Sequence, residues 1–519
     1  MLELSERDRE QIEGHGIGLA EVERQLHSFA HKPRGIHLSR PARIGDGIVL
    51  LAAEDLPRLD ALYCEAAGQG RFAKFVPASG AATRMFRALL AVLHGEAQEK
   101  DLEACRRFVA ELDRLPFAPE LRRAAARAGV DLPGIEAGGD PRPLLEALLG
   151  EEGFERGESL NLAHTAKALI PFHRERGADG AEAGRSALEE HLIEAALHLR
   201  DARGHCRVHL TIPQHQELIF REELRSIEGR LEERFGGVFD LSWSVQSPVT
   251  DTIAASLDGQ PFRLDDGSLV LRPGGHGALL LNLEKMGGDL VFVRNIDNVL
   301  PESRREEALT WNRLLGGYLL ELEALALGIL ARLASEEGDG WLDEALEEVA
   351  SRLERPDARD LIGRPAAEQR AWLAAQLDRP MRVCGVVLNS GEPGGGPFWV
   401  REPEGRESLQ IVETSQVDRQ DPEQEAILRQ ATYFNPVHLV CRLRSHRGEP
   451  YPLQEFVDPE TVFISRKSLQ GRPLLALEHP GLWNGAMARW NTVFVAIPAS
   501  IFAPVKTVFD LLRPEHQPR

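Results

Sequence analysis

The sequence predicts an α/β protein, built on a mixed, mainly parallel sheet flanked by helices and enlarged by large helical insertions. Three observations predict it. Short apolar runs rich in β-branched residues recur along the chain, helical patterns with apolar residues three and four apart lie between several of them, and two long segments interrupt this alternation. Alternating strands and helices give a sheet whose faces the helices cover, which is the usual setting of a parallel sheet.

The strand candidates are RFAKFVP (71–77), CRVHLTIP (206–213), VFDLSWSV (238–245), DLVFVRNID (289–297), MRVCGVVLN (381–389) and NTVFVAIP (491–498). Each is short, bounded by turn residues and apolar enough to be buried. SALEEHLIEAALHLRDA and EEALTWNRLLGGYLLELEALALGILARLA carry the helical spacing. The interruptions, about 95–165 and 300–375, are rich in Ala, Glu, Arg and Leu and are expected to be helical insertions. The expected organisation is a helical N-terminal extension over 1–70 and a first part of the α/β core over 71–310. A helical insertion over 311–375 follows, then a second part of the core with a C-terminal segment over 376–519. GGDPRP, NSGEPGGGPFW and REPEGRE are expected to be loops, for their Gly and Pro.

At 519 residues the chain exceeds the size at which one core stops growing, so two or three lobes are expected. Hydrophobic residues make up 43% and charged residues 27%, the usage of a folded globular chain. A net charge of -20 weighs against a nucleic-acid surface but not against a nucleotide, which needs only a local cluster of cations and amides. No apolar run is long enough to suggest a membrane span, and the acidic start MLELSERDREQIEGHG lacks a signal-peptide pattern, so the cytoplasm is the expected compartment. Cys64, Cys105, Cys206, Cys384 and Cys441 are scattered without metal-ligand spacing, which suits reduced thiols rather than structural zinc.

Three segments carry candidate chemistry. Pro77–Met85, PASGAATRM, follows a strand and precedes a helical pattern; small residues there let backbone N–H groups approach a phosphate, and Arg84 adds a cation. The same pattern also serves as a plain strand-to-helix turn. RPGGHG, Arg272–Gly277, is followed by VFVRNIDN, Val291–Asn298. Its glycines leave room for a base or sugar, His276 supplies a donor, and Asp297 at a strand's C-terminal end suits Mg²⁺, or else an ordinary turn. IFAPVKTVFDLL, Ile501–Leu512, places Lys506 in the first turn of a short helix, where the dipole disfavours a cation unless a polyphosphate binds; a solvated lysine is the plain alternative. Trp483 and Trp490, within LEHPGLWNGAMARWNTV, either stack on a sugar or, more ordinarily, fill a core.

In order, PGGHG, FVRNIDN, LQIVETSQV, FNPVHLV and PVKTVFDLL resemble the UDP-glucose and UDP-N-acetylhexosamine pyrophosphorylase family, from about residue 71 to the end. The whole chain also looks like a bacterial family of about this length catalogued as a domain of unknown function. The resemblance implies a GT-A-like, nucleotide-diphospho-sugar transferase fold. PASGAATRM stands where that family has a GGxGTR loop, with Ser79 and Ala82 in place of two glycines. The family's lysine segment is absent directly after it but is matched by TAKALIPFH, Thr165–His173, as though the first insertion split the signature.

Residue by residue, the resemblance implies that Ser79, Gly80, Thr83 and Arg84 hold the triphosphate and that Lys167 neutralises phosphate. Gln246 would read a uracil edge and Gly275 would lie near the base. His276 would meet the sugar phosphate, and Glu413 and Asn435 the sugar hydroxyls. Asp297 would hold Mg²⁺ and Lys506 the phosphates. For Gln246, Glu413 and Asn435 a hydrogen-bonded polar residue at a strand end is the competing reading. The implied reaction joins UTP and a sugar 1-phosphate into a nucleotide sugar and pyrophosphate. Glycosyl transfer from a bound nucleotide sugar and a non-catalytic nucleotide-sugar sensor are the rival readings.

Overall fold

A computed structural model describes residues 4–31, 33, 35–150, 159–176, 182–335, 338–389, 391, 394–402 and 405–517. The chain is mixed α/β and divides into two units, each assembled from separated stretches. One comprises Met1–Ala73, Ser244–Val293 and Arg313–Ile497, and the other Lys74–Trp243, Arg294–Asn312 and Pro498–Arg519.

In the first unit the strands Arg43–Ile44, Gly47–Val49, Asn491–Ala496, Met381–Leu388 and Tyr433–Arg442 are neighbours in that order. The pairs on either side of Asn491–Ala496 are parallel, while Met381–Leu388 meets Tyr433–Arg442 antiparallel, with Met381 opposite Arg442 and Leu388 opposite Tyr433. Two smaller antiparallel sheets accompany them. One orders Leu38–Pro41, Gly395–Arg401 and Glu407–Glu413; the other orders Leu271–Arg272, Thr252–Ala255, Arg472–Glu478 and Phe463–Leu469.

Strands therefore occupy residues 38–49, a stretch expected to be helical, and the end of NSGEPGGGPFW, expected to be a loop. The glycines of that second segment answer to packing: a Cβ on Gly394 or Gly395 would run into Phe434 or Ile411. Gly316 and Gly317 act likewise inside the helix Arg305–Ala334, where Cβ atoms would collide with Tyr63 and the Leu59 backbone of the helix Leu56–Gly68. Contrary to the sequence reading, the helical stretch Glu302–Ala334 is long and apolar enough to cross a membrane, but its most apolar window is 67% buried inside the protein, as in a core helix.

In the second unit Phe72–Pro77 lies parallel to His205–Ile212, which neighbours Val238–Val245. The 95–165 insertion contains the helices Glu99–Ala110, Ala118–Arg127, Leu132–Glu136 and Arg142–Leu149, which bury Phe108, Leu121, Leu144 and Leu148. The chain then forms an antiparallel hairpin, Pro171–Arg176 with Glu182–Ser186. Ser186 caps the following helix, Ala187–His198, by accepting from the Glu189 N–H.

That helix buries a polar face. Lys74, fully buried on the strand, donates to Glu194 Oε1 at 2.9 Å and to the His191 carbonyl at 3.0 Å, and Arg294 lies 3.6 Å from Glu194. Burial pushes the Lys74 ammonium down to about 8. Burial also opposes ionisation of Glu194, but Arg294 and Lys74 outweigh it and hold the carboxyl well below its ordinary value.

Candidate functional site

Within the second unit, segments far apart in sequence are tied into a ring. The Lys167 N–H donates to the Gly80 carbonyl at 3.0 Å, and Ala81 and Ala166 form an isolated bridge. Lys167 Nζ meets Asp297 Oδ2 at 2.7 Å, both side chains being largely covered. The Val505 N–H donates to the Asp297 carbonyl at 3.0 Å, and the Val508 N–H to the Met85 carbonyl at 3.1 Å. The ring thus runs from PASGAATRM to Lys167, to Asp297, to the segment carrying Lys506, and back.

Side chains that the sequence reading did not single out support this ring. Gln216 accepts from the Ala166 N–H at 2.9 Å and donates to the His164 carbonyl at 2.7 Å, fixing the return of the chain into Lys167. His191 Nε2 lies 3.1 Å from the Asn295 carbonyl and 3.3 Å from that of Ile296, just ahead of Asp297. Asn298 Oδ1 accepts from the Ala503 N–H at 3.0 Å. A buried chain of imidazoles holds the C-terminal segment: His516 Nε2 lies 3.0 Å from the Ala503 carbonyl and its Nδ1 2.9 Å from His173 Nε2, while His173 Nδ1 lies 2.7 Å from Glu190. A carbonyl only accepts, so His516 carries its proton on Nε2 and His173 donates to it. The visible signal was a lysine inside a buried strand and a helix with Glu190, His191, Glu194 and His198 on neighbouring turns.

Ser79 is half-exposed, while Gly80, Thr83 and Arg84 are exposed. Gly80 needs no left-handed backbone, and a Cβ there meets nothing within 4 Å. Lys506 sits elsewhere than expected. The short helix is a 3₁₀ turn, Val508–Leu512, capped by Thr507, so Lys506 precedes the cap instead of occupying the first turn. Its N–H donates to Asp510 Oδ2 at 2.8 Å, and the acidic Asp510 in the turn already answers the dipole.

The first unit gathers a second group. His276 stacks on Trp483 with ring centroids 4.3 Å apart, its Nδ1 accepts from the Leu482 N–H at 3.1 Å, and its Nε2 lies 3.7 Å from Glu413 Oε1. The neutral ring therefore carries its proton on Nε2, toward the carboxylate. Asn484 also donates to Glu413 Oε1, at 2.9 Å. His276 lowers the Glu413 carboxyl despite its burial, and Asn484 and Trp483 add to the effect.

The glycines of RPGGHG do not leave the expected room. Cβ atoms on Gly274, Gly275 and Gly277 would collide with His479, Glu478 and Pro480, so the chain itself fills that space, and Gly275 needs its positive φ of 75°. The sugar-hydroxyl role implied for Asn435 does not match its place either. It is 2% exposed, donating to the Gly385 carbonyl at 3.2 Å and accepting from the N–H of Val437, a β-branched residue held at φ 54°. Gln246 is half-exposed just beyond the strand Val238–Val245; Asn282 donates to the Val245 carbonyl at 2.9 Å.

Among the described residues no three His, Cys, Asp or Glu groups converge as a metal cage. Asp297 keeps one carboxylate oxygen, Oδ1, clear of Lys167. That suits Mg²⁺, which takes one or two carboxylates and completes its shell with water and substrate phosphate.

A family model described as "Domain of unknown function (DUF4301)" matches residues 5–517. No curated protein matches the chain. Among solved structures, the UDP-glucose pyrophosphorylase from Leishmania major is similar at 14% identity and a TM-score of 0.46, covering 98% of this chain and 79% of that one. The uridine diphosphate N-acetylglucosamine pyrophosphorylase from Trypanosoma brucei, in complex with inhibitor, is similar at 13% identity and a TM-score of 0.49, with the same coverage.

Proposed function

We propose, for a chain that belongs to the family described as Domain of unknown function (DUF4301), nucleotidyl transfer between a nucleoside triphosphate, UTP by preference, and a sugar 1-phosphate. The observation that carries this reading is the ring joining Gly80, Lys167, Asp297 and the Lys506 segment. A lysine displaced by the whole first insertion returns to the turn whose backbone would hold phosphate.

In the proposed reaction an oxygen of the sugar 1-phosphate attacks the α-phosphorus of the triphosphate. A new P–O bond forms, the bond to the bridging oxygen breaks, and pyrophosphate leaves with its electron pair. No protein nucleophile is required, so the work is positioning and charge stabilisation. Ser79, Gly80 and Thr83 offer backbone and hydroxyl groups to the phosphates, and Arg84, Lys167 and Lys506 offset their charge. Asp297 would hold Mg²⁺, which when bound would polarise phosphate oxygens. Within the first unit, Gln246 is the proposed reader of a uracil edge and the His276–Glu413 pair the proposed partner of a sugar phosphate and hydroxyls.

The test is release of pyrophosphate from UTP with a panel of hexose 1-phosphates and Mg²⁺. Free UDP from a nucleotide sugar would favour glycosyl transfer instead, and binding without turnover a sensor. Gly80→Ala gives a sharper check. Because the added methyl meets no protein atom, melting should be unchanged. A phosphate lying against that backbone should nevertheless bind UTP about tenfold or more weakly, a loss of about 1.4 kcal/mol by titration calorimetry. Unchanged UTP affinity would remove the turn from the site.

A further inference from the structure

The first unit contains a cavity of about 440 Å³ that the proposed reaction does not use. Arg379 and Trp490, which line it, stand just before the parallel strands Met381–Leu388 and Asn491–Ala496. The hairpin of Gly395–Arg401 with Glu407–Glu413 reaches it at the Arg401–Glu407 end. Glu413 lies at the other end of that hairpin, six residues or roughly 20 Å along the strand. The cavity is thus separate from the His276–Glu413 group of the same unit.

Of the five arginines that line it, three form no ion pair among the described residues. Arg379 donates through Nε to the Ala375 carbonyl at 2.8 Å, and neither it, Arg401 nor Arg489 forms an ion pair among the described residues. Most of the carboxylates nearby are engaged. Asp357 is held by Arg355 at 2.8 Å, Glu407 by Arg40 at 2.6 Å, Glu354 accepts from the Gly47 N–H at 3.2 Å, and Glu402 faces Arg406 at 3.7 Å. Asp458 caps its own turn and Glu460 is exposed.

We propose that this cavity binds a small phosphomonoester. Guanidinium groups of Arg379 and Arg489 meet the phosphate. Arginine planes match phosphate geometry and carry a charge that ordinary pH does not remove. The state of Arg379 agrees: burial lowers it to about 10, and Arg355, Arg406 and Arg489 add repulsion against the pull of Glu402, which an incoming dianion would relieve.

The experiment measures binding of inorganic phosphate and of glucose 6-phosphate to the full chain by titration calorimetry and melting, at fixed ionic strength with chloride as control. The background is Lys506→Ala, which weakens the other phosphate-binding group. Arg379→Gln with Arg489→Gln should weaken glucose 6-phosphate at least tenfold. Arg489 is exposed, so Arg489→Gln alone serves if the double variant melts early. Parent-like affinity in folded variants, no saturable binding on the Lys506→Ala background, or an equal response to chloride would each overturn the proposal.

Discussion

Asp297→Ala is expected to lower pyrophosphate release by on the order of 10³-fold while leaving the melting temperature nearly unchanged, if Asp297 anchors a metal-bound triphosphate. The carboxylate lies in a turn beyond the strand Leu290–Arg294 with its side chain 22% exposed, and its contact is with Lys167, so little packing is lost. Lys506→Ala should slow transfer by about 10²-fold and weaken triphosphate binding, as removal of one electrostatic donor does elsewhere. Charge reversal at Lys506 should be worse, because like charges would then face one another in a partly desolvated place. Lys167→Ala separates the two roles. It removes a phosphate partner but frees Asp297, so the Mg²⁺ midpoint for activity should not rise, whereas Asp297→Ala should raise it strongly. Equal shifts of that midpoint in both variants would refute the assignment of the metal to Asp297, and parent-like rates in Asp297→Ala and Lys506→Ala would refute the site.

Acidification from pH 7 to pH 5 is expected to remove roughly 5 kcal/mol of stability, a large part of what a folded chain normally has. Burial pushes His198 and His209 down to about 4 and His516 down to about 3, and His191 well below its ordinary value. In the unfolded chain each takes up a proton near ~6.5. These residues stay neutral in the fold, so the stability they contribute is present above ~6.5 and is lost as pH falls toward the folded values. His198, His209 and His516 each contribute nearly 2 kcal/mol over that interval, about one proton at ~1.4 kcal/mol per pH unit once below ~6.5, and His191 acts in the same direction. Glu190 and Glu194, also held below their ordinary values, extend the loss further into acid. Circular dichroism melts at pH 7, 6 and 5, at constant ionic strength, should show a steep fall in Tm. A flat profile would mean that these imidazoles are not buried neutral, and His516→Gln should make the slope shallower.

Several strands were legible because each is a short apolar run ending in turn residues. RFAKFVP, CRVHLTIP and NTVFVAIP fall on the strands Phe72–Pro77, His205–Ile212 and Asn491–Ala496. The strands Leu38–Pro41, Arg43–Ile44 and Gly47–Val49 were not, since two to four residues give no periodicity to read. Function misled the reading of RPGGHG. Glycines that admit a ligand and glycines that admit the chain's own Glu478–Pro480 look alike until the partner, some two hundred residues on, is seen. The return of Lys167 was legible from the residue types of TAKALIPFH, but its supports were not. Gln216, His173 and His516 act only through contacts made in three dimensions, His173 and His516 being 343 positions apart. Buried charges such as Lys74 are the least legible of all, because composition assigns lysine to the surface.

The ring around Asp297 also bears on how the molecule folds. Its side-chain closure joins positions 130 apart, and its backbone links join Gly80 to Lys167, Asp297 to Val505 and Met85 to Val508. Contacts of such separation must await loop closures that local helices do not require, and chains dominated by them fold slowly. The helices of the 95–165 insertion can form early from neighbouring residues, whereas the ring needs all its segments at once. Intermediates rich in secondary structure would then precede closure of the ring, with apolar surface exposed in the meantime. In a crowded cell, the yield of folded molecules would turn on that delay and on protection of the chain while it lasts.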